Sequence, residues 1–530
     1  MLELTENKLL ISVLFFAFIL RFWGADFGLP VFFTHTDETL TIAKARGEYK
    51  VDYKKGEALN IMHYVVQTID AAVVENKISL IKSPSADRMY RASTLYIGRV
   101  LSAVLSTINV LFIFLIVREL FDEKLALLSA LFLSITFVDV QTSHYLRQDV
   151  YTHFLGLLSI YLSILYITSN RPAHLMSAAF SAGLAMSIRL NGTLFLVPLL
   201  VFLIRQWAKK NIDIKGLFIK FVIIGFFSIV GFVLSQFEFF ITAPVNIWPR
   251  LITEAMEIQN NAIYASAANG MSSFNFFFQY ALKVGLYYPL FFASIAGAFF
   301  YLKSDYGHKL YVMLFPALYF VVIGTRSVRF DRLLTAITPF LAFFAAFFIY
   351  KLFTRRALAG SIVVILIFCV SLARIVIFDY YLTKKDTREV ALEWLLVNVT
   401  RDMEVHFLGG AHDIGYHTYV AGYNSKLLAG APRTKENWNI DNSLVVLTSQ
   451  DIRVFENYRN ADKYREGWEE FQKFLKRSRL VAKFKVDAFE SDFIAPNYLE
   501  ASSTVKYYHN PTIWVYSVGD INKGNESANF

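Results

Sequence analysis

Residues 357–379 read ALAGSIVVILIFCVSLARIVIFD, and the only charged members are Arg374 and Asp379. A helix needs about 20 apolar residues to cross the hydrocarbon core of a bilayer, and this stretch supplies them. Comparable runs recur upstream, at roughly 8–24, 95–117, 125–141, 149–168, 174–189, 193–207, 217–236, 280–302, 309–324 and 333–350. The series predicts about eleven transmembrane helices, with the boundary around Asn191-Gly192 the least sharp. Arg21-Phe-Trp-Gly follows the first run and is not a small-residue cleavage site, so that run reads as a span and not as a signal peptide.

Composition agrees. The chain has 530 residues, of which 55% are hydrophobic, 16% aromatic and 18% charged. Mean hydropathy is +0.42. Soluble domains carry about 25% charge. A disordered chain, a coiled coil and an ordinary soluble enzyme are thereby excluded. Twelve prolines exclude a Pro-rich linker, and the single cysteine, Cys369, excludes a disulfide framework and a thiolate metal site. The net charge of +9 does not indicate a nucleic-acid partner. From residue 384 onward there are 19 Lys and Arg against 20 Asp and Glu, so the whole excess lies in the apolar part.

That excess orients helices. With the N-terminus inside, the inner loops 118–124, 169–174, 205–215, 302–309 and 351–356 carry twelve Lys and Arg. The outer loops after the first carry six: Arg147, Arg189, Arg250, Arg326, Arg329 and Arg332. Basic residues favour the cytoplasmic side, which supports this topology. An odd helix count then puts residues 384–530 outside. The expected organisation is a membrane part, 1–383, with outer loops at about 25–94 and 237–280, followed by an extracytoplasmic α/β domain, 384–530. In that domain Thr387–Val399 reads as an amphipathic helix. Short strands are expected at Val405–Leu408, Leu444–Thr448, Leu480–Val486 and Thr512–Val518, with helix again at Gly467–Lys476. There is no internal repeat.

Candidate chemistry lies where charge meets the outer edge of the apolar slab. The first loop holds His35-Thr-Asp37-Glu38, and a carboxylate there can act as general base or simply be a solvated acid. Ser143-His144-Tyr145-Leu-Arg147-Gln-Asp149 sits where buried charge is expensive, which makes these residues either functional or a structural Arg–Asp pair. Arg326, Arg329 and Arg332, with Asp331, cluster in an outer loop that usually avoids positive charge. Guanidiniums there suit a phosphate or anionic headgroups. Arg99 and Arg189 end helices at the same side, as site residues or as snorkelling anchors. His35, His63 and His144 match no strict metal spacing. Asn191-Gly-Thr, Asn398-Val-Thr and Asn525-Glu-Ser are outward-facing sequons in this topology.

In order along the chain, several stretches resemble the GT-C membrane glycosyltransferases, in the branch of protein O-mannosyltransferases and lipid A aminoarabinose transferases. They are His35-Thr-Asp-Glu, Leu95-Tyr-Ile-Gly-Arg-Val-Leu-Ser, His144-Tyr-Leu-Arg-Gln-Asp-Val-Tyr-Thr-His-Phe, Gly183-Leu-Ala-Met-Ser-Ile-Arg-Leu-Asn-Gly, Arg332-Leu-Leu-Thr-Ala-Ile-Thr-Pro and Asp386-Thr-Arg-Glu-Val-Ala-Leu-Glu-Trp-Leu. The pattern departs from that branch at Leu333 and Ala336, where Tyr and Pro are usual, and the Pro-rich patch of the first loop is replaced by Asn60-Ile-Met-His-Tyr.

The resemblance implies a multi-pass plasma-membrane enzyme of prokaryotic type. It would move a sugar, with inversion, from a polyprenyl (dolichyl or undecaprenyl) phosphate to a hydroxyl of a glycan, lipid or protein acceptor on the outer face. Asp37, Glu38 and Asp149 would be the catalytic carboxylates, with Asp37 as base. Arg329, Arg332, Arg326, Arg99 and Arg147 would grip the donor phosphate. His35, His144, Tyr145, Arg189 and His63 would contact sugar or acceptor. No cofactor is certain, and a divalent metal is compatible without being required. Two other readings stay open at this point: a transporter or flippase of lipid-linked sugars, and a non-catalytic membrane scaffold.

Overall fold

The computed structural model describes residues 2–32, 36–51, 58–83, 85–242, 272–326, 329–428, 440, 442–452, 465–487, 493–494 and 510–518. Each of the eleven apolar runs is helical. Among the described residues six helices are long and apolar enough to cross a membrane, or seven if one bent pair is a single span, and two shorter apolar helices, Tyr288–Leu302 and Lys309–Gly324, accompany them.

Three runs expected as single helices are broken. The run 125–141 forms Glu123–Ser134 and Phe137–Ser143, bent by 61°. A break inside an apolar slab frees carbonyls that need partners. Arg21, at the end of the first helix, Leu2–Phe22, supplies them: its guanidinium donates to Ser134 O at 3.1 Å and Leu133 O at 3.2 Å. The run 280–302 is a π-turn, Ala281–Gly285, followed by Tyr288–Leu302. The run 333–350 opens with a 3₁₀ turn, Asp331–Ala336, before Thr338–Arg355. That turn places Arg332 at the foot of a helix and not on it.

Helices approach closely where side chains vanish. On Gly183, in Pro172–Ile188, a Cβ would lie 2.0 Å from Ser228 O, and on Gly231 it would lie 2.4 Å from Phe180 O. The two glycines let Pro172–Ile188 and Ile214–Ser235 touch backbone to backbone, the usual device between helices in lipid.

The region 25–94 holds two short helices, Thr36–Ala45 and Ile61–Glu75, and the start of the long helix Ala86–Leu120. The C-terminal part forms a five-stranded sheet in the order β2-β1-β3-β5-β4. The strands are β1 (Val405–Phe407), β2 (Ser425–Leu427), β3 (Ser443–Thr448), β4 (Ser478–Phe484) and β5 (Ile513–Val518). β1 pairs in parallel with β2 and β3, whereas β5 runs antiparallel to β3 and β4. β3 is buried at every position, as a central strand should be. Sequence reading missed β2 and the helix His412–Val420, both short and polar.

The C-terminal part is tied to the membrane helices. Arg374, fully buried in Ala357–Leu382, donates to Phe493 O at 2.8 Å and Val284 O at 2.7 Å, with its cation against Phe137 and Tyr287. An unpartnered arginine at that depth would be very costly, and here backbone carbonyls and ring faces receive it.

Candidate functional site

The helix Thr36–Ala45 puts both acids of the His35-Thr-Asp-Glu stretch in its first turn, where the helix dipole favours negative charge. Their environments differ completely. Glu38 is fully buried, and Arg99 grips it with two bonds, Nε to Oε1 at 3.0 Å and Nη2 to Oε2 at 2.8 Å. The Leu146 N–H adds a third at 2.8 Å. Arg99 spends its other arm on the carbonyls of Ala25 and Phe27, at 3.0 and 2.9 Å, and its plane lies 3.8 Å from the Phe27 ring centre. The pair is fully hydrogen-bonded, the condition under which a buried ion pair persists. Arg99, expected to bind phosphate, is thus buried and engaged inside the fold.

Asp37 faces outward, its side chain 45% exposed. Its Oδ2 lies 3.4 Å from Arg332 Nη2 and 4.0 Å from Arg147 Nε. Arg332 turns its Nε to Asp149, 3.0 Å away, and so bridges the two aspartates. Asp149, at the buried start of Gln148–Ser169, also meets Arg189 at 3.2 Å. Arg332 is held by Phe330, whose ring centre is 4.0 Å from the guanidinium, and by Asp331, which accepts its backbone N–H at 2.8 Å. Arg147 lies over Tyr145 at 4.4 Å, and Tyr145 meets Phe27 edge to face. Three arginines therefore surround two aspartates, one of which is open to solvent. Guanidiniums in such a place suit phosphate.

The other expected residues lie around this cluster or away from it. Arg326 is close enough to feel the charges of Arg189 and Asp149. Arg329 is half-buried, with Nε 3.2 Å from Ser273 Oγ. Burial lowers both guanidinium pKa values. His144 is fully buried, with Nδ1 2.7 Å from Val140 O and Nε2 3.0 Å from Trp23 O and 3.4 Å from Asp379. It joins the first helix to Ala357–Leu382 and does not reach the aspartates. His63 is part of a capping box, accepting the Asn60 N–H at 3.2 Å on Nδ1. His35 lies outside the described residues. Asn191, read as an outward sequon, is buried, and its amide nitrogen donates to the Tyr319 hydroxyl at 2.6 Å. Asn398 is exposed, and Asn525 lies outside the described residues. Among the described residues no group of three or more His, Cys, Asp or Glu is placed to hold a metal ion. Sequence reasoning passed over His153, buried one turn beyond Asp149 with Nδ1 3.1 Å from Thr335 Oγ1. The four-residue spacing on one helix face was the available signal.

Residues 93–233 match the family described as dolichyl-phosphate-mannose-protein mannosyltransferase. That segment, which carries part of the charge cluster, is similar to a family of membrane glycosyltransferases. The matched segment contains Arg99, Arg147, Asp149 and Arg189, while Asp37 and Arg332 lie outside it. The match covers about a quarter of the chain. Its fold is similar to that of two solved proteins. One is the archaeal oligosaccharyltransferase AglB from Archaeoglobus fulgidus, in complex with an inhibitory peptide and a dolichol-phosphate (TM-score 0.52, 13% identity, covering 91% of this chain and 73% of that one). The other is ArnT from Cupriavidus metallidurans in the apo state (TM-score 0.51, 12% identity, 84% and 93%). No curated protein matches the chain in sequence.

Proposed function

We propose that the protein moves a sugar from a polyprenyl-phosphate donor to a hydroxyl acceptor at the membrane face onto which Asp37 opens. The observation that carries this reading is the bridge Asp37–Arg332–Asp149, with Arg147 and Arg189 on its flanks. Asp37 takes the proton of the acceptor hydroxyl, and the oxygen attacks the anomeric carbon opposite the phosphate. The bond to the phosphate oxygen breaks, the configuration inverts, and the lipid phosphate leaves with the bonding pair. The transition state has oxocarbenium character, as in glycoside hydrolysis. Arg332 and Arg147 neutralise the departing phosphate, with Arg326 and Arg329 close behind. Asp149 is buried between Arg332 and Arg189, and it holds both in place. The Glu38–Arg99 pair fixes the helix from which Asp37 projects. The binding of a dolichol-phosphate by AglB supports a donor of this class here. The acceptor is a glycan, lipid or protein hydroxyl.

The topology in the same reading is eleven crossings with the N-terminus inside, which puts Asp37 and residues 384–530 on the extracytoplasmic side. A scaffold would have no use for a half-exposed aspartate between arginines. The deciding experiment supplies lipid-phosphate-linked sugars to the purified protein and identifies the product. Transfer is expected, and the Asp37→Asn variant should lower it about 1,000-fold while folding normally. Near-normal transfer by that variant would remove Asp37 as base.

A further inference from the structure

The hydrophobic core of the C-terminal part is completed by a residue that does not belong to it. Phe32 is 1% exposed and packs with Ala391, Leu392 and Leu395 of the helix Thr387–Asn398, and with Phe407 of β1 and Ile414. It lies five positions before Asp37, at the end of the segment that leads from the first membrane helix to the helix Thr36–Ala45. Its ring meets His417 edge to face, with centres 5.4 Å apart, and the Arg388 guanidinium lies 5.3 Å from it.

The backbone beside Phe32 is clamped as well. Arg88, at the start of Ala86–Leu120, donates to Pro30 O at 2.7 Å and to Val31 O. Its Nη2 is also 2.8 Å from His417 Nε2, which itself lies 3.0 Å from Val31 O. One guanidinium thus ties together the membrane helix, the segment before Asp37 and the C-terminal part. A bond from Arg88 to Nε2 requires a neutral ring with its lone pair on that nitrogen. Burial lowers the His417 pKa, and the charge of Arg88 lowers it further, against weaker support for the cation from Asp413 and the Val31 carbonyl. Asp413 is also within charge range of Arg88 and Arg388, so the joint carries its own counter-charge.

We propose that the C-terminal part positions Asp37 for the reaction, with Phe32 as the plug and Arg88 and His417 as the clamp. These are positioning residues, since none of them contacts the aspartate–arginine cluster. The proposal rests on the reading of Asp37 as base. It gives the C-terminal part a role inside catalysis: an event that shifts Thr387–Asn398 or His412–Val420 is transmitted through Phe32 to the helix that carries the base. Displacements of about 1 Å at a reacting group can cost on the order of 100-fold in rate.

The test uses the full-length protein in detergent or proteoliposomes, with initial rates of sugar transfer at varied donor. Phe32→Ala and His417→Ala should each lower kcat roughly 10- to 100-fold, with the donor KM within about twofold of wild type. Phe32→Leu and His417→Gln, which keep the apolar plug and an acceptor for Arg88, should recover most of the rate. In an Asp37→Asn background neither alanine change should reduce the residual rate further, because the group being positioned is already gone. Unchanged kcat, a raised donor KM alone, or full multiplicative loss in the Asp37→Asn background would each overturn the proposal. If Phe32→Ala fails to fold, the His417 pair decides. An active Asp37→Asn enzyme would instead strike at the base assignment, so the two failures are distinguishable.

Discussion

Asp37 and Glu38 are sequence neighbours with the same chemistry, and the fold puts them to opposite uses. Glu38 is sealed, with Arg99 on both oxygens and a backbone amide in reserve. Asp37 is half-exposed and lies 3.4 Å from Arg332 and 4.0 Å from Arg147. The sealed pair has used its hydrogen-bonding capacity on the protein itself. The open cluster is reached by solvent through Asp37, so a substrate anion can take part there. Burial thus separates a group that holds the structure from a group that acts on something else. In the first case mutation should appear in stability, and in the second in rate.

The largest effect should come from the open member. Asp37→Asn is expected to lower kcat about 1,000-fold, within the range of general-base contributions, with little change in the thermal midpoint of the purified protein. A fall in midpoint comparable to that of a core mutation would place Asp37 with Glu38 and dissolve the contrast.

The sealed member should behave the other way. Glu38→Ala leaves Arg99 buried with no carboxylate, and breaking such pairs costs about 3–5 kcal/mol. The expected result is poor yield of folded protein and a midpoint lowered by many degrees. Whatever folds should retain a donor KM near that of wild type. Normal stability would show that water or a neighbour replaces the carboxylate and that the pair is not structural.

Arg332 tests the bridge between the two aspartates. Arg332→Ala should raise the apparent KM for the lipid-linked donor and lower kcat, together about 100-fold in kcat/KM, by analogy with the loss of one transition-state donor. Arg332→Lys should recover only part, since an ammonium cannot reach Asp37 and Asp149 in the planar fork geometry. Unchanged donor dependence would remove Arg332 from phosphate binding.

How much of this was legible beforehand depended on the kind of physics involved. The spans were readable because lipid offers the backbone no partners, so crossing segments are helical, apolar and of bilayer length. Asp37, Arg147, Asp149 and Arg332 stood out because charge at the edge of an apolar slab is costly. What could not be read was partnership over distance. That Glu38 and not Asp37 is buried depends on Arg99, 61 residues away. The break at Ile135 hides in an unbroken apolar run, because the arginine that satisfies it sits on another helix. His144 stands in a conspicuous polar stretch, yet its ring turns to the Trp23 carbonyl and to Asp379. Phe32 looked like one more apolar residue in a loop, since its neighbours come from more than 350 positions later.

The smallest expected effect concerns His63, a second sealed group in the region 25–94. Its neutral Nδ1 accepts the Asn60 N–H and starts the helix Ile61–Glu75. Burial first, and the charge of Lys44 second, push its pKa from 6.5 down to about 4. The unfolded chain therefore binds a proton below about pH 6.5 that the folded chain refuses until about pH 4. Folding is favoured by this group above pH 6.5, and the contribution is lost progressively as pH falls through that window. His63→Gln has no proton to bind, so its thermal midpoint should fall less than that of wild type between pH 7 and pH 4.5. The two curves should run parallel above pH 7, and kcat at pH 7 should change by less than about threefold, because a sealed group belongs to stability and not to rate. Parallel midpoints across the whole range would mean that His63 is solvated, and that the Glu38–Arg99 pair alone carries the contrast with Asp37.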